Sequence, residues 1–407
     1  MNPLFISIKR ELRHAAMRPR YLLLVTIGIA FSYLFFLTLM AEGQPEKLPI
    51  AIVDHDGSYL SRRLCHEIEA TQGVEVAAVY NNQQQARRAM QRQEVFAFLE
   101  IPEGAYREVV SFRRPHLSLY ANNAFLLGGS FSYKTLATIS KLASGAVQRE
   151  VLRKKGLDEQ QIAGMIQPIE LDAHFLSNAT ANYQPYVLTT ILPGILGLMV
   201  LLYSIFVCWT EYETGTADQW VAAAGGSWMA AVWGKLLPYT VWFSLLNIGG
   251  CLILFGPCRY TLLGDFWILV VTTVLFVLAL QSMAVLLVGL IPQMHLSMCV
   301  GAIYGTLAFT MSGFSFPVTS MPAPLQSFSL IFPLRHYYLT YVDVAMYGSG
   351  MERCWPHIAM LLLFLLAGFV GLMLVSKHHS SGLMAASFLE PDRCGGQPNL
   401  PTPPAAV

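Results

Sequence analysis

Six runs of about 20 mostly apolar residues, each long enough to cross a bilayer as a helix, constrain this chain more than any motif does. They are Tyr21–Ala41, Tyr186–Cys208, Trp228–Phe255, Phe266–Ile291, Leu296–Phe316 and Trp355–Val375. The composition agrees: 54% of residues are hydrophobic and 13% charged, against about 25% charged in an ordinary soluble domain. The expected fold class is an α-helical polytopic membrane protein with six transmembrane helices and an inserted α/β extracytoplasmic domain. The first run resembles a signal peptide only superficially. It is too long, and "LTLMAEGQPEK" lacks a clear small-x-small cleavage site, so an uncleaved anchor is expected. A net charge of +1 points to no nucleic-acid partner.

Charge placement sets the topology. The N-terminal stretch 1–20 carries Lys9, Arg10, Arg13, Arg18 and Arg20 against one acid, Glu11, which puts that end in the cytoplasm. Leu4, Phe5, Ile8 and Leu12 share one helical face, with Lys9, Arg10 and Arg13 elsewhere. That pattern suits a short amphipathic helix lying on the inner membrane surface, and equally a basic stop before a span. Six crossings return the C-terminus to the cytoplasm. Lys377, His378 and His379 follow the last span, the two histidines being expected as solvated rather than metal-bound. The remainder of 377–407 is Pro-rich and expected to be disordered.

This topology places 42–185 outside, long enough for a domain of its own. Short β-branched runs ("LPIAIVD", "VEVAAVY", "VFAFLEIP", "HLSLYANN", "IELDAHFL") alternate with helical patterns, implying a small α/β domain with partly parallel strands. Asp54 and Asp56 flank His55 in a way that suggests metal, but turn and N-cap roles explain them better, with Ser58 or Ser61 capping the helix that follows. Asn178-Ala179-Thr180 matches a glycosylation sequon, a weak signal.

The spans hold no Asp or Glu at mid-depth, which disfavours an ion-coupled carrier. Lys235 sits near the inner end of its run, where it is expected to snorkel. Asn247 and Gln281 read as interhelical hydrogen bonds. Gly301 and Gly305 form a GxxxG that serves packing within the chain or between two copies. The chain has no GxxxxGK[ST], GxSxG or HExxH sequence, so any work it does draws on another chain's chemistry. The seven cysteines form no CxxC. Cys258 and Cys354 both fall in outer loops, where a disulfide is one option among others.

Two segments resist a plain span-and-loop reading. "WTEYETGTADQW" (Trp209–Trp220) holds Glu211, Glu213 and Asp218 and no base, in what should be a cytoplasmic loop. Thr214 or Thr216 can cap a short helix with Asp218 in its first turn, leaving Glu211 and Glu213 for a basic partner. A solvated turn is the alternative. The second segment, 314–350, is too apolar for a free loop and is broken by Pro317, Pro322, Pro324 and Pro333. It reads as one or two short helices dipping into the outer leaflet.

These residues together resemble the permease subunits of type-2 ABC exporters, in the branch with a large outer domain after the first span. The resemblance runs to about Val375. "LPIAIVDHDGSYLSRRL" is similar to that family's D-x-D-x-S-x-x-S-R opening, here Asp54, Asp56, Ser58, Ser61 and Arg62. "YQPYVLTTILPG" resembles the entry to the second span, and "EYETGT" the E-x-E-x-G-T segment. "SGFSFPVTSMPAPLQSFSLIFPLRHY" matches the pattern before the last span, with Gly313, Phe316, Pro317, Met321, Pro322, Pro333, His336 and Tyr337. "AAAGG" (Ala222–Gly226) departs from the Pro-containing turn common at that point.

The resemblance implies a second permease, identical or paralogous, and two cytoplasmic ABC ATPase subunits carrying the ATP and Mg. No cofactor is expected on this chain. It implies that 209–227 is a coupling segment, with Glu211, Glu213, Gly215, Thr216 and Asp218 facing the ATPase, and that 314–350 is a re-entrant exit. Many such exporters act with a periplasmic adaptor and an outer-membrane channel. The expected function is ATP-driven export of an amphipathic, drug-like or lipid-like substrate across a bacterial inner membrane. The rivals are an envelope assembly or receptor scaffold, and an ion-coupled secondary transporter.

Overall fold

The computed structural model describes residues 3–381 except 18, 42, 44, 112 and 168–181, together with Met384. The strand expected at "IELDAHFL", the sequon and most of the C-terminal stretch therefore lie outside the described residues. The chain divides into two compact units, Met1–Ala41 with Phe175–Val407, and Glu42–His174.

The chain opens with helix α1 (Pro3–Met17) and the apolar α2 (Arg20–Leu39). In the second unit β1 (Leu48–Asp54), α3 (Tyr59–Glu69), β2 (Val74–Tyr80), α4 (Gln83–Gln91), β3 (Ala97–Ile101), α5 (Ala105–Val110), β4 (Ser118–Ala121), α6 (Leu126–Lys154) and α7 (Glu159–Ile166) follow. The sheet order is β2-β1-β3-β4. β1 runs parallel to β2 and β3, and β4 antiparallel to β3. The period-2 alternation of β1 fixes its register. Ile50 and Ile52 face a core with Leu64, Ile68 and Leu136, while Ala51 and Val53 face Ala86, Ala89 and Phe98.

The Asp54 loop is built from its own hydrogen bonds. Asp54 Oδ1 accepts from the N–H groups of Asp56 and Gly57 at 2.9 and 3.0 Å. Asp56 Oδ2 accepts from the Tyr106 N–H at 3.2 Å. Ser58 caps α3 by accepting from the Ser61 N–H, and Arg62 is exposed on that helix. Both carboxylates therefore serve a turn, in line with the turn reading of the sequence. Burial, with added repulsion from Asp54 and Glu69, pushes the nearby Cys65 thiol up.

The first unit continues with α8 (Tyr183–Glu213), α9 (Ala217–Ala223), α10 (Trp228–Phe255), α11 (Phe266–Leu290), α12 (Met294–Met311), α13 (Ala323–Ser329), α14 (Pro333–Tyr341) and α15 (Met351–Ser380). A turn of 3-10 helix, Val318–Ser320, precedes α13, and a π-helical turn, Val342–Met346, follows α14. Among the described residues six helices, α2, α8, α10, α11, α12 and α15, are long and apolar enough to cross a membrane. They correspond to the six apolar runs, so this is a multi-pass membrane protein.

Small residues bring these helices together. A Cβ on Gly371 of α15 would lie 2.6 Å from the Leu286 backbone, and one on Gly289 of α11 would lie 2.6 Å from the Gly371 carbonyl. A Cβ on Gly301 of α12 would lie 2.6 Å from Ile205 of α8, and one on Gly305 would lie 2.5 Å from Leu198, so the GxxxG packs within the chain. Gln281 accepts from Thr240 Oγ1 at 2.7 Å, and Asn247 donates to Tyr337 Oη at 3.3 Å; both are the interhelical bonds expected. The Cys258 and Cys354 thiols are free, Cys354 being fully buried beside Tyr341 and Ile358, so the disulfide option is not taken.

Candidate functional site

The end of the bundle where α8, α9 and α10 meet contains a buried ion cluster. Glu211, in the last turn of α8, is 2% exposed. Its Oε1 accepts from Lys235 Nζ at 2.7 Å. Its Oε2 accepts from Arg10 Nη2 at 2.9 Å and from Thr216 Oγ1 at 2.6 Å. Lys235 also lies 3.5 Å from Glu11 Oε2, and Tyr239 donates to Glu11 Oε1 at 2.6 Å. Two acids and two bases balance, and the carboxylate lone pairs are taken up by donors, which is what a buried charge requires. The Lys235 ammonium also stands 5.3 Å from the centre of the Trp220 ring, a cation–π contact.

Helical spacing assembles the cluster. Ser7 and Glu11 sit one turn apart on α1 and are its buried residues; Lys235 and Tyr239 are likewise one turn apart on α10. Gly234 lets α1 approach closely, for a Cβ there would lie 2.6 Å from Ser7 Cβ. Ser7 Oγ and Trp220 Nε1 both donate to the Ala231 carbonyl at 3.2 Å. Helix α1 thus turns a polar seam to the bundle and leaves Phe5 and Leu12 exposed, with Ile8 half-buried and Lys9 and Arg13 in the open. Arg10 is drawn into the cluster instead of standing with the other cations.

Three expectations change here. Glu211 is not free to meet a partner, because Lys235 and Arg10 hold it inside. Lys235 does not snorkel; two carboxylates offer it a closer match than the interface. Thr216 occupies the N-cap position of α9 without a side-chain capping bond, since its hydroxyl is committed to Glu211. The outward face keeps Glu213, Gly215 and Asp218. Gly215 makes the α8–α9 corner at φ +64°. Ala there should cost about 1–2 kcal/mol through the left-handed penalty alone, since no atom crowds the position; a lowered Tm in detergent with unchanged expression is the check. At the far side of α9, Gly225 and Gly226 at φ +66° and +78° turn the chain into the Ser227 cap of α10, which settles how "AAAGG" leaves the segment. Asp218 lies in the first turn of α9 as anticipated, but it is met by His379 Nε2 at 3.1 Å. His379 is thus paired, and its ring lies 4.8 Å from that of Trp228.

At the opposite end, 314–350 folds into short helices as expected. Gly313 turns at φ +90°. Pro317 and Pro322 precede the 3-10 turn and α13, and Pro333 opens α14. Met321 is buried and Phe316 is 51% exposed. Tyr337 is fully buried and stacks on Phe276 at 4.7 Å. His336 is 2% exposed, with Nε2 3.0 Å from the Leu330 carbonyl. His336 and Tyr337 therefore hold the segment together and do not line an open surface. The sequence reading missed Glu11 and Tyr239 in the cluster; the i, i+4 pairing of acid with serine and lysine with tyrosine was the available signal.

The family model described as ABC-2 family transporter protein matches residues 20–374. The chain belongs to that family. It is also similar to the probable multidrug ABC transporter permease YbhR of Escherichia coli K12, 20% identical over 357 residues that cover 86% of this chain and 92% of the relative. The same protein of Escherichia coli O157:H7 matches to the same extent. Membership of the ABC-2 family makes this chain a membrane transport protein and places the ion cluster in a transporter.

Proposed function

We propose that the chain is the transmembrane permease subunit of an ATP-driven ABC exporter, one that moves an amphipathic, drug-like or lipid-like substrate out of the cytoplasm or inner membrane. A separate ATPase chain supplies the energy, and this chain is not itself an enzyme. The observation that carries the reading is the buried cluster of Glu211, Lys235, Glu11 and Arg10, which ties the exposed corner 213–219 to α1, α8 and α10. A force applied at the corner reaches three helices through short charge-assisted bonds, with no slack loop between. Glu213, Gly215 and Asp218 form the face offered to the ATPase, and α1 rests its Phe5 and Leu12 side on lipid.

In this reading the bundle sits in a bacterial inner membrane with both termini cytoplasmic. The sheet-containing unit lies in the periplasm, where it can meet an adaptor and an outer-membrane channel, and a second permease completes the translocation path. Closure of the ATPase pair moves the corner, the cluster moves α1 and α10 with it, and substrate leaves beside 314–350. Glu213→Lys, at an exposed site outside the cluster, should weaken ATPase-coupled transport in the reconstituted complex about tenfold, equivalent to about 1.4 kcal/mol, with insertion and Tm unchanged. Full coupling in an assembled Glu213→Lys complex would remove Glu213 from the contact.

A further inference from the structure

Helix α14 carries a cation that no described residue of the chain answers. Arg335 makes no ion pair and no side-chain hydrogen bond among the described residues, and its Nε is buried without a partner. The side chain lies against the turn that opens the outer segment: a Cβ on Gly313 would lie 3.6 Å from Arg335 Nη1 and 3.1 Å from Val318 Cγ2. Helix α14 itself packs against α8, α11, α12 and α15, and Arg335 on it is half-buried, so its charge is only partly open to solvent and an unanswered Nε there is costly.

The surroundings offer donors and cations where an acceptor is needed. Asp343, two turns further along, is already engaged: its Oδ1 accepts from Arg353 Nε at 3.0 Å, and its Oδ2 lies 3.9 Å from His357 Nε2. His336, next in sequence, has a buried Nδ1 with no partner, and its ring centre is 6.0 Å from that of His357. Arg335 lies in the first turn of α14, where the helix dipole is also positive. Phe316, Leu330 and Ile331, exposed apolar side chains of the same segment, precede Arg335 in the chain.

We propose that Arg335 recognises the headgroup of an anionic amphiphile, a phosphate or carboxylate whose planar oxygen pair suits a guanidinium fork, with the apolar chain lying along the exposed side chains of 314–331. The inference rests on the reading of 314–350 as the exit, and it narrows the substrate from amphipathic to anionic amphipathic.

The test uses the purified full chain in phosphatidylcholine nanodiscs, with spin-labelled phosphatidic acid and spin-labelled phosphatidylcholine as probes. The wild type should immobilise phosphatidic acid in preference to phosphatidylcholine. Arg335→Gln should reduce that preference about tenfold or more, Arg335→Lys should keep part of it as a point charge, and Arg259→Gln, in the exposed loop after α10, should leave it intact. Equal loss in Arg259→Gln would show general surface attraction and overturn the site. Displacement of phosphatidic acid by millimolar inorganic phosphate would show a small-anion site and overturn the amphiphile. Conversion of a dimer to a monomer by Arg335→Gln would identify a second copy's carboxylate as the partner and overturn the proposal. If Arg335→Gln does not fold, an unaltered preference in Arg335→Lys with the label's motion unchanged decides against it. Because lipid binding needs no ATPase, a failed Glu213→Lys experiment and a failed Arg335 experiment are separately visible.

Discussion

Replacing Lys235 by Met is expected to destabilise the folded chain by about 3–5 kcal/mol, the cost of removing one partner from a buried ion pair. Methionine fills most of the lysine volume, so the effect isolates charge. Glu211 would keep Arg10 and Thr216, and Glu11 would keep Tyr239, but two carboxylates would then share one full positive charge inside the protein. Thermal unfolding in detergent should show the loss as a lowered Tm. The double variant Lys235→Met with Glu211→Gln removes one charge of each sign, and it should recover part of the loss. A Lys235→Met protein as stable as the parent would mean that the carboxylates are hydrated or protonated and that the cluster is not a rigid joint. Coupled transport should fall further than stability does, since the cluster is the proposed link between the corner and α1.

The six crossings were legible because a bilayer demands length and apolarity, and both are visible in one dimension. Trp228–Phe255 is the same in sequence and structure, and the other boundaries move by a few residues at the ends. What could not be read was the destination of a polar group near a span's end. Lys235 alone reads as a snorkelling residue. Only when α1 folds back against α10 does Glu11, more than two hundred positions away, become its neighbour. The same long-range closure removed Glu211 from the surface while leaving Glu213 there, two residues later, because helical twist turns them to different sides.

Capping shows the same limit at short range. Sequence logic correctly put a threonine at the start of α9 and an acid in its first turn. It could not see that the Thr216 hydroxyl had a charged acceptor within reach, which outcompetes a neutral backbone N–H cap. His336 and Tyr337 repeat the lesson at the other end. Both stand in a recognisable motif, yet they pack inward, and the adjacent Arg335 is a charged group of that segment without an ion-pair partner among the described residues. A motif marks a place in the fold; which of its residues are available is decided by what the rest of the chain brings there.

Trp209→Ala is expected to cost about 3–5 kcal/mol, as for other large aromatics removed from a full core. The indole is fully buried. Its Nε1 donates to Ser297 Oγ at 2.9 Å, joining the C-terminal end of α8 to the first turn of α12, and its ring lies 5.6 Å from that of Tyr212. Trp209→Phe keeps most of the ring and loses the hydrogen bond, so its cost should be nearer 1 kcal/mol. The ratio of the two Tm shifts separates packing from hydrogen bonding. The functional consequence also differs between them. If α12 follows α8 by way of this indole bond, Trp209→Phe should weaken coupled transport beyond its small effect on stability, while basal ATPase activity of the assembled complex stays the same. Transport falling only in proportion to stability in both variants would show that α12 is carried by its glycine packing against Leu198 and Ile205, and that Trp209 serves the core alone.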